Sequence, residues 1–285
     1  MNSSSLPVKH ISDTAFLTAL YRAIESDRAD AQFFDPYART LSGARGDHLT
    51  KVMPDAKLVA QGSAVRTCVM DELIMRTIQE DGVDTVLNLG AGLDARPYRL
   101  PLPASLRWVE ADLSDVLAYK AGILADAQPK CTLELFPCDL NTSAARKALL
   151  SQVSAMTEKC LVVAEGLLVY MTPAQVADLA SNLSAQQQIR WWLIDIASPG
   201  GLQQIQKNLF SSPVQADIKM QFAPEEGTNF FRAYGWQLVE FRSLFEEAQR
   251  LNRGAMPEAC LAQLSSKQRK ALQMLSGFAL LTRAD

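Results

Sequence analysis

From residue 83 onward the chain repeats one pattern, a short apolar run followed by a polar stretch with helical spacing. The runs are TVLNLG (85–90), LRWVEADL (106–113), TLELFPCDL (132–140), CLVVAEGLLVY (160–170), RWWLIDIA (190–197), WQLVEF (236–241) and GFALLTRA (277–284). Each is long enough for a buried strand, and the segments between the first five are long enough for helices. Strand and helix in alternation predict an α/β fold: a parallel sheet of seven strands with helices on both faces. The last two runs are separated by a longer polar stretch, which suits a final strand entering antiparallel. Two helix starts are marked. Ser114 offers an N-cap, and Thr172-Pro173-Ala174-Gln175 reads as a capping box with proline at the first helical position.

The first 80 residues are different. Helical patterns cover Thr14 to Glu25 and Lys57 to Glu80. Val65, Val69, Leu73 and Ile78 fall near helical spacing in the second, and Asp81-Gly82 ends it. Residues 1–80 are therefore expected to form an N-terminal helical cap. Residues 81–285 form the sheet domain, with an insertion at about 200–232. Ligands of open α/β sheets bind beyond the carboxyl ends of the strands, where such a cap can close over them.

Composition narrows the partners. The 285 residues, 48% hydrophobic, suit one large domain or one domain with a cap. Net charge is −3 with interspersed signs, so there is no footprint for nucleic acid or an anionic membrane. No apolar run approaches the ~20 residues that cross a bilayer, and the N-terminus lacks the apolar core of a secretory signal. Cys68, Cys131, Cys138, Cys160 and Cys260 form no C-x-x-C pair and read as reduced thiols of a cytoplasmic protein. Histidine occurs twice, as His10 and His48, so a histidine metal site is not expected.

The candidate chemistry starts at Gly90-Ala91-Gly92-Leu93-Asp94-Ala95, which fits G-x-G-x-x-G/A directly after a strand. Glu110 lies twenty residues on, at the end of the next strand, where an acid can accept from both ribose hydroxyls. This describes a nucleoside site. A dinucleotide would set its pyrophosphate on the following helix N-terminus, where Asp94 would repel it. S-adenosylmethionine carries a sulfonium instead. A tight turn with no ligand is the plain alternative.

Four motifs then occur in order: VLNLGAGLDARPYRL (86–100), WVEADLSDVLAYK (108–120), FPCDLN (136–141) and AEGLLVYM (164–171). In order and spacing they resemble the leucine carboxyl methyltransferase family. ISDTAFLTALYRAIESDR (11–28), FFDPYA (33–38) and GWQLVEFRSLFEEAQRLNR (235–253) resemble its bacterial branch, which includes O-methyltransferases of polyketides. The resemblance covers about residues 11–285; Ala95 departs from it, standing where relatives often have threonine. It implies a class I methyltransferase fold, a Rossmann-like seven-stranded sheet with the last strand antiparallel, and S-adenosyl-L-methionine as cofactor. By the same resemblance Arg66 holds the methionine carboxylate, and Gly90 and Gly92 pass under the ligand. Asp112 binds the ribose, with Glu110 as its rival. Asp139 and Leu140 frame the adenine, Glu165 lies near the ammonium group, and Arg22 stands close to the cofactor carboxylate or the substrate.

Asp112, Asp139 and Glu165 each end an apolar run, on the ligand side of such a sheet. The bland alternative is that each caps the next helix, and that Asp94, Arg96 and Arg99 form exposed ion pairs of little worth. Methyl transfer is an in-line displacement that needs alignment and the exclusion of water. A carboxylate acceptor, with a pKa of ~4, needs no base, whereas a phenol at ~10 profits from one. Scarce histidine fits the carboxylate, for which Arg22 is the candidate cation. Tyr170 is a candidate donor to the acceptor, or else a core tyrosine. Phe210, Met220, Phe222, Phe230 and Phe231 suit an apolar small-molecule pocket or the core of an insertion. The leading expectation is O-methylation of a small metabolite, most simply on a carboxylate, with no nucleic-acid or membrane partner. Its rivals are a protein C-terminal carboxyl methyltransferase, a nicotinamide dehydrogenase and a non-catalytic binder of S-adenosylmethionine.

Overall fold

The computed structural model describes residues 11–51, 56–209, 219–254 and 263–284. All seven apolar runs contain strands: β1 (Thr85–Leu89), β2 (Arg107–Asp112), β3 (Thr132–Pro137), β4 (Cys160–Ala164), β5 (Ile189–Ala197), β6 (Trp236–Ser243) and β7 (Ser276–Arg283). They form one sheet in the order β3-β2-β1-β4-β5-β7-β6. Strands β1 to β5 pair in parallel, and β7 runs antiparallel between β5 and β6. Every residue of β1 and β4 is buried, which is why these two strands are mainly apolar, with Thr85 and Asn88 the polar members. The fourth run is shorter than its hydrophobicity suggests. The strand stops at Ala164, Gly166 turns the chain at φ +61, and Leu168–Tyr170 forms a 3₁₀ turn with Leu168 in the core.

Helices cover both faces. On one lies α3 (Ala56–Asp81), whose Val65, Val69, Leu73 and Ile74 pack with Val86, Leu161, Leu193 and Leu280. On the other lie α6 (Ser143–Ser154) and α7 (Pro173–Ser184), packed on Leu87, Val162, Trp192 and Trp236. Each such side chain gives about 1.5–3 kcal/mol on burial. Thus α3, grouped with the cap by its position in the sequence, is a layer of the sheet domain itself. Among the described residues α1 (Ile11–Ser26) and α2 (Ala38–Lys51) remain as cover, with α1 packed on Leu93 and Ala95 of the glycine loop. Asp81 ends α3 as expected, and Gly82 follows at φ +69.

Local signals fare unevenly. The Thr172 capping box forms, with the Gln175 N–H donating to Thr172 Oγ1 at 3.2 Å and the Thr172 N–H donating to Gln175 Oε1 at 2.8 Å. Ser114 is the first residue of α5 (Ser114–Ile123) rather than its cap; Leu113 takes that place, and its N–H donates to Asp112 Oδ1. The insertion begins with α8 (Pro199–Leu209) and resumes as irregular chain and a 3₁₀ segment, Gly227–Tyr234. Phe231 is in the core with Phe230 packed against it, while Met220 and Phe222 line a cavity. Phe210, His10 and Cys260 lie outside the described residues. Cys68, Cys131, Cys138 and Cys160 are buried free thiols. Among the described residues no helix is long and apolar enough to cross a membrane.

Candidate functional site

The glycine loop leaves β1 with Gly90 at φ +66 and Gly92 at φ +51, a region that costs other residues dearly. Space is short as well: a Cβ on Gly90 would lie 3.1 Å from Leu167 Cδ1, and one on Gly92 3.3 Å from Ala15 Cβ. Four of the loop's donors are already bonded inside the protein. Gly90 and Ala91 donate to the Ala111 carbonyl at 2.8 and 3.3 Å, Asp94 to the Ala91 carbonyl at 3.0 Å, and Gly92 to Asp112 Oδ2 at 2.6 Å. The helix that follows, α4 (Arg96–Arg99), is a single turn.

Asp112 ends β2 and opens into the cavity above this loop. Burial pushes its carboxyl up against the opposing pull of the Gly92 and Leu113 N–H groups. Asp139 is exposed beyond β3 and accepts from the Asn141 N–H at 2.9 Å, while the neighbouring Leu140 is buried. Neither caps a helix, since the N-caps of α5 and α6 are Leu113 and Thr142. Glu165, one residue past β4, is likewise free of a capping role.

Glu165 instead belongs to a buried ion network. Its Oε1 lies 2.8 Å from Arg66 Nε and its Oε2 2.7 Å from Arg96 Nη1. Arg96 also pairs with Asp94 at 3.0 Å and with Asp71 at 2.6 Å, and Asp71 holds Arg99 at 2.6 Å. Arg96 and Arg99 are 4% exposed, so the expectation of surface pairs fails: Asp71 on α3 encloses them. Burial drives the Asp94 carboxyl up, but Arg96, Lys120 and Arg22 hold it well below the usual range. Asn88 Nδ2 donates to its Oδ2 at 2.9 Å. Asp94 is therefore no bare charge, and it does not decide against a pyrophosphate.

Two cavities meet here. The smaller, about 210 Å³, is lined by the glycine loop and by every predicted site residue except Glu110: Arg22, Arg66, Gly90, Gly92, Asp112, Asp139, Leu140, Glu165 and Tyr170. The larger, about 440 Å³, is mostly apolar, with Leu17, Val169, Ile196, Met220, Phe222 and Phe278 in its wall. Thr14, Thr18, Arg66, Gly166 and Tyr170 line both. Burial raises the Tyr170 hydroxyl pKa, so at neutral pH it is a donor.

Glu110 is a correction. It is fully buried in β2, both oxygens 2.7 Å from Lys120 Nζ, and it does not line the cavity. Arg22 is a second correction as regards the acceptor. It lines only the smaller cavity, its Nε donating to Asp35 at 2.8 Å and its Nη2 to the Leu93 carbonyl at 2.6 Å. It ties α1 to the glycine loop. His48, on α2, lines neither cavity. The residues missed were Asp71, Asn88 and Asp195. Asp195 carried a legible signal, an acid inside the apolar run RWWLIDIA.

The sequence profile of the leucine carboxyl methyltransferase family matches residues 15–184. A Parafrankia sp. (strain EAN1pec) protein, named as an inferred S-adenosyl-L-methionine-dependent methyltransferase, is 34% identical over 181 residues. That alignment covers 60% of this chain and 58% of the relative, so the chain spans less than two thirds of the relative's length. A solved DUF574-family structure from Streptomyces avermitilis MA-4680 superposes with a TM-score of 0.59 at 13% identity, over 95% of this chain and 97% of that one. A methyltransferase inferred for Thermobifida fusca YX gives 0.55 at 16% identity, over 99% and 97%. At such identities both are similar in fold alone.

Proposed function

The chain belongs to the leucine carboxyl methyltransferase family, and from that premise we propose that it transfers a methyl group from S-adenosylmethionine, held in the smaller cavity, to a small apolar acceptor in the larger one. One observation carries the choice of ligand. The N–H groups of Gly90, Ala91, Gly92 and Asp94 are all bonded within the protein, whereas a pyrophosphate needs such donors. What the cavity offers instead is carboxylate at the strand tips, which suits hydroxyls, an exocyclic amine and a cationic tail.

The residues fit that ligand along its length. Asp112 accepts from the ribose hydroxyls. Asp139 and Leu140 frame the adenine. Arg66 and Glu165, already paired with each other, receive the carboxylate and ammonium of the amino-acid tail, and Gly90 and Gly92 leave room beneath. When bound, the cofactor supplies an electrophilic methyl on sulfur. The chain's part is to aim the acceptor from the neighbouring cavity and to exclude water. Tyr170, on the shared boundary, donates a hydrogen bond to the acceptor. A carboxylate acceptor is less well served. Among the described residues lining the larger cavity the cations are Arg66 and Arg253, and each is held by two acids.

Calorimetric titration tests this reading. S-adenosylhomocysteine should bind saturably and NADH should not. No heat with S-adenosylhomocysteine on folded protein, or saturable binding of NADH alone, would refute it.

A further inference from the structure

Among the described residues lining the larger cavity there is one carboxylate, and the proposed methyl transfer leaves it without a task. Asp195 sits on β5, between Ile194 and Ile196, in an otherwise apolar stretch. Strand alternation puts it on the face of Leu193, towards α3 and Arg66. Its Oδ1 accepts the Gly166 N–H at 2.8 Å. Its Oδ2 lies 3.4 Å from Arg66 Nη1, longer than a strong charge-assisted bond. The side chain keeps 23% exposure, and that exposure is into the larger cavity, since Asp195 lines this one and not the smaller. Arg66, Gly166 and Tyr170 line both. The carboxylate thus stands on the acceptor's side of the boundary, one side chain away from the cofactor's.

We propose that Asp195 is the general base for methyl transfer, and that the acceptor is the hydroxyl of an apolar phenol or alcohol. This rests on the methyltransferase function proposed for the two cavities. The acceptor oxygen forms the new C–O bond with its lone pair. The C–S bond breaks with its electrons going to sulfur, which becomes a neutral thioether. The hydroxyl proton passes to Asp195 Oδ2 and then to water. Burial raises the Asp195 pKa against the pull of Arg66 and the Gly166 N–H, which strengthens it as a base. Burial raises the Tyr170 pKa, which suits it to donate a hydrogen bond rather than to take a proton. A carboxylate acceptor would face Asp195 with like charge.

Asp195→Asn tests the assignment, because the amide oxygen still accepts the Gly166 N–H. Calorimetry should give both proteins the same affinity for S-adenosylhomocysteine within about twofold. Bound beside that ligand, 4-nitrophenol reports its ionisation by absorbance. The aspartate should raise its pKa by about one unit or more relative to the variant, by like charge. With S-adenosylmethionine, methylation of 1-naphthol should fall about 10²- to 10⁴-fold in the variant. The loss should be much smaller for the more acidic 4-nitrophenol. The acid limb of the wild-type pH profile should disappear. Three results overturn the assignment: faster methylation of 1-naphthoate than of 1-naphthol, a variant within threefold of wild type on 1-naphthol, or no transfer to any probe by protein that binds S-adenosylhomocysteine. Absence of that binding would instead remove the methyltransferase reading itself.

Discussion

Glu110 and Asp112 stand two residues apart on β2, with side chains on the same face, yet their surroundings separate them. Glu110 is enclosed with Lys120, and burial pushes its pKa up to about 7 against that ammonium group. Asp112, at the strand tip, reaches the cavity and steadies Gly92. Removing one partner of a buried pair leaves the other charge uncompensated. Glu110→Ala should therefore cost about 3–5 kcal/mol, a Tm drop on the order of 10 °C, while the folded fraction keeps its affinity for S-adenosylhomocysteine. Asp112→Ala should do the reverse, with a small change in Tm and roughly 10- to 100-fold weaker binding. Thermal unfolding and calorimetry on both variants decide this, and loss of affinity in the Glu110 variant alone would return the ribose to Glu110. An acid ending an apolar run was a readable signal for Asp112, Asp139 and Glu165. The same signal pointed at Glu110, because its partner lies on α5 and pairing between elements has no local trace. Arg96 and Arg99 misled for a like reason: Asp71, which buries them, comes from α3, more than 20 residues earlier.

Elements were easier to read than their ends. The central runs became strands because a sheet covered on both faces needs mainly apolar sequence, while the edge strands β3 and β6 mix apolar and polar positions and stay partly exposed. The fourth run was overread, since Leu168 is apolar for packing beyond the turn at Gly166 and not for the strand. No pattern announced α2, where Gly43 at φ +52 kinks the helix and Gly46 follows. Gly166 links element to site. Its φ is +61, and a Cβ there would lie 3.3 Å from Arg66 Nη1. Gly166→Ala should cost about 1–2 kcal/mol for the backbone alone and displace Arg66, so that S-adenosylhomocysteine binds less tightly as well. Thr172→Ala is the matched control. It removes the α7 capping box and should cost about 1 kcal/mol with no effect on affinity. If both variants lose stability and neither loses affinity, Gly166 shapes the chain only and Arg66 does not depend on it.

At the scale of the molecule, both cavities depend on where α1 sits, for this helix supplies Thr14, Thr18 and Arg22 to one and Leu17 and Tyr21 to the other. Its C-terminal end is held from far along the chain. Arg253, just past α9 (Leu244–Arg250), places Nη2 2.7 Å from Glu25 Oε1 and Nη1 3.1 Å from Asp30 Oδ2. The Arg253 and Glu25 side chains are only 1% and 3% exposed. Arg253→Met would leave buried Glu25 with only the longer contact to Arg28, 3.7 Å away, at a cost of about 3 kcal/mol, and would free the end of α1. A ligand that needs α1 in place must then also order it, so part of its binding energy is lost to that step. In the wild type, S-adenosylhomocysteine at 100 times its Kd should add about 2.7 kcal/mol, a Tm rise of roughly 5–10 °C. At the same concentration the Arg253→Met protein should gain less, and its Kd should rise. In Glu25→Gln/Arg253→Met, with no buried charge left over, stability should partly return while affinity stays low, because the tie to α1 is still missing. Full recovery of affinity in that double variant would show that buried charge, and not the position of α1, limits the cavities.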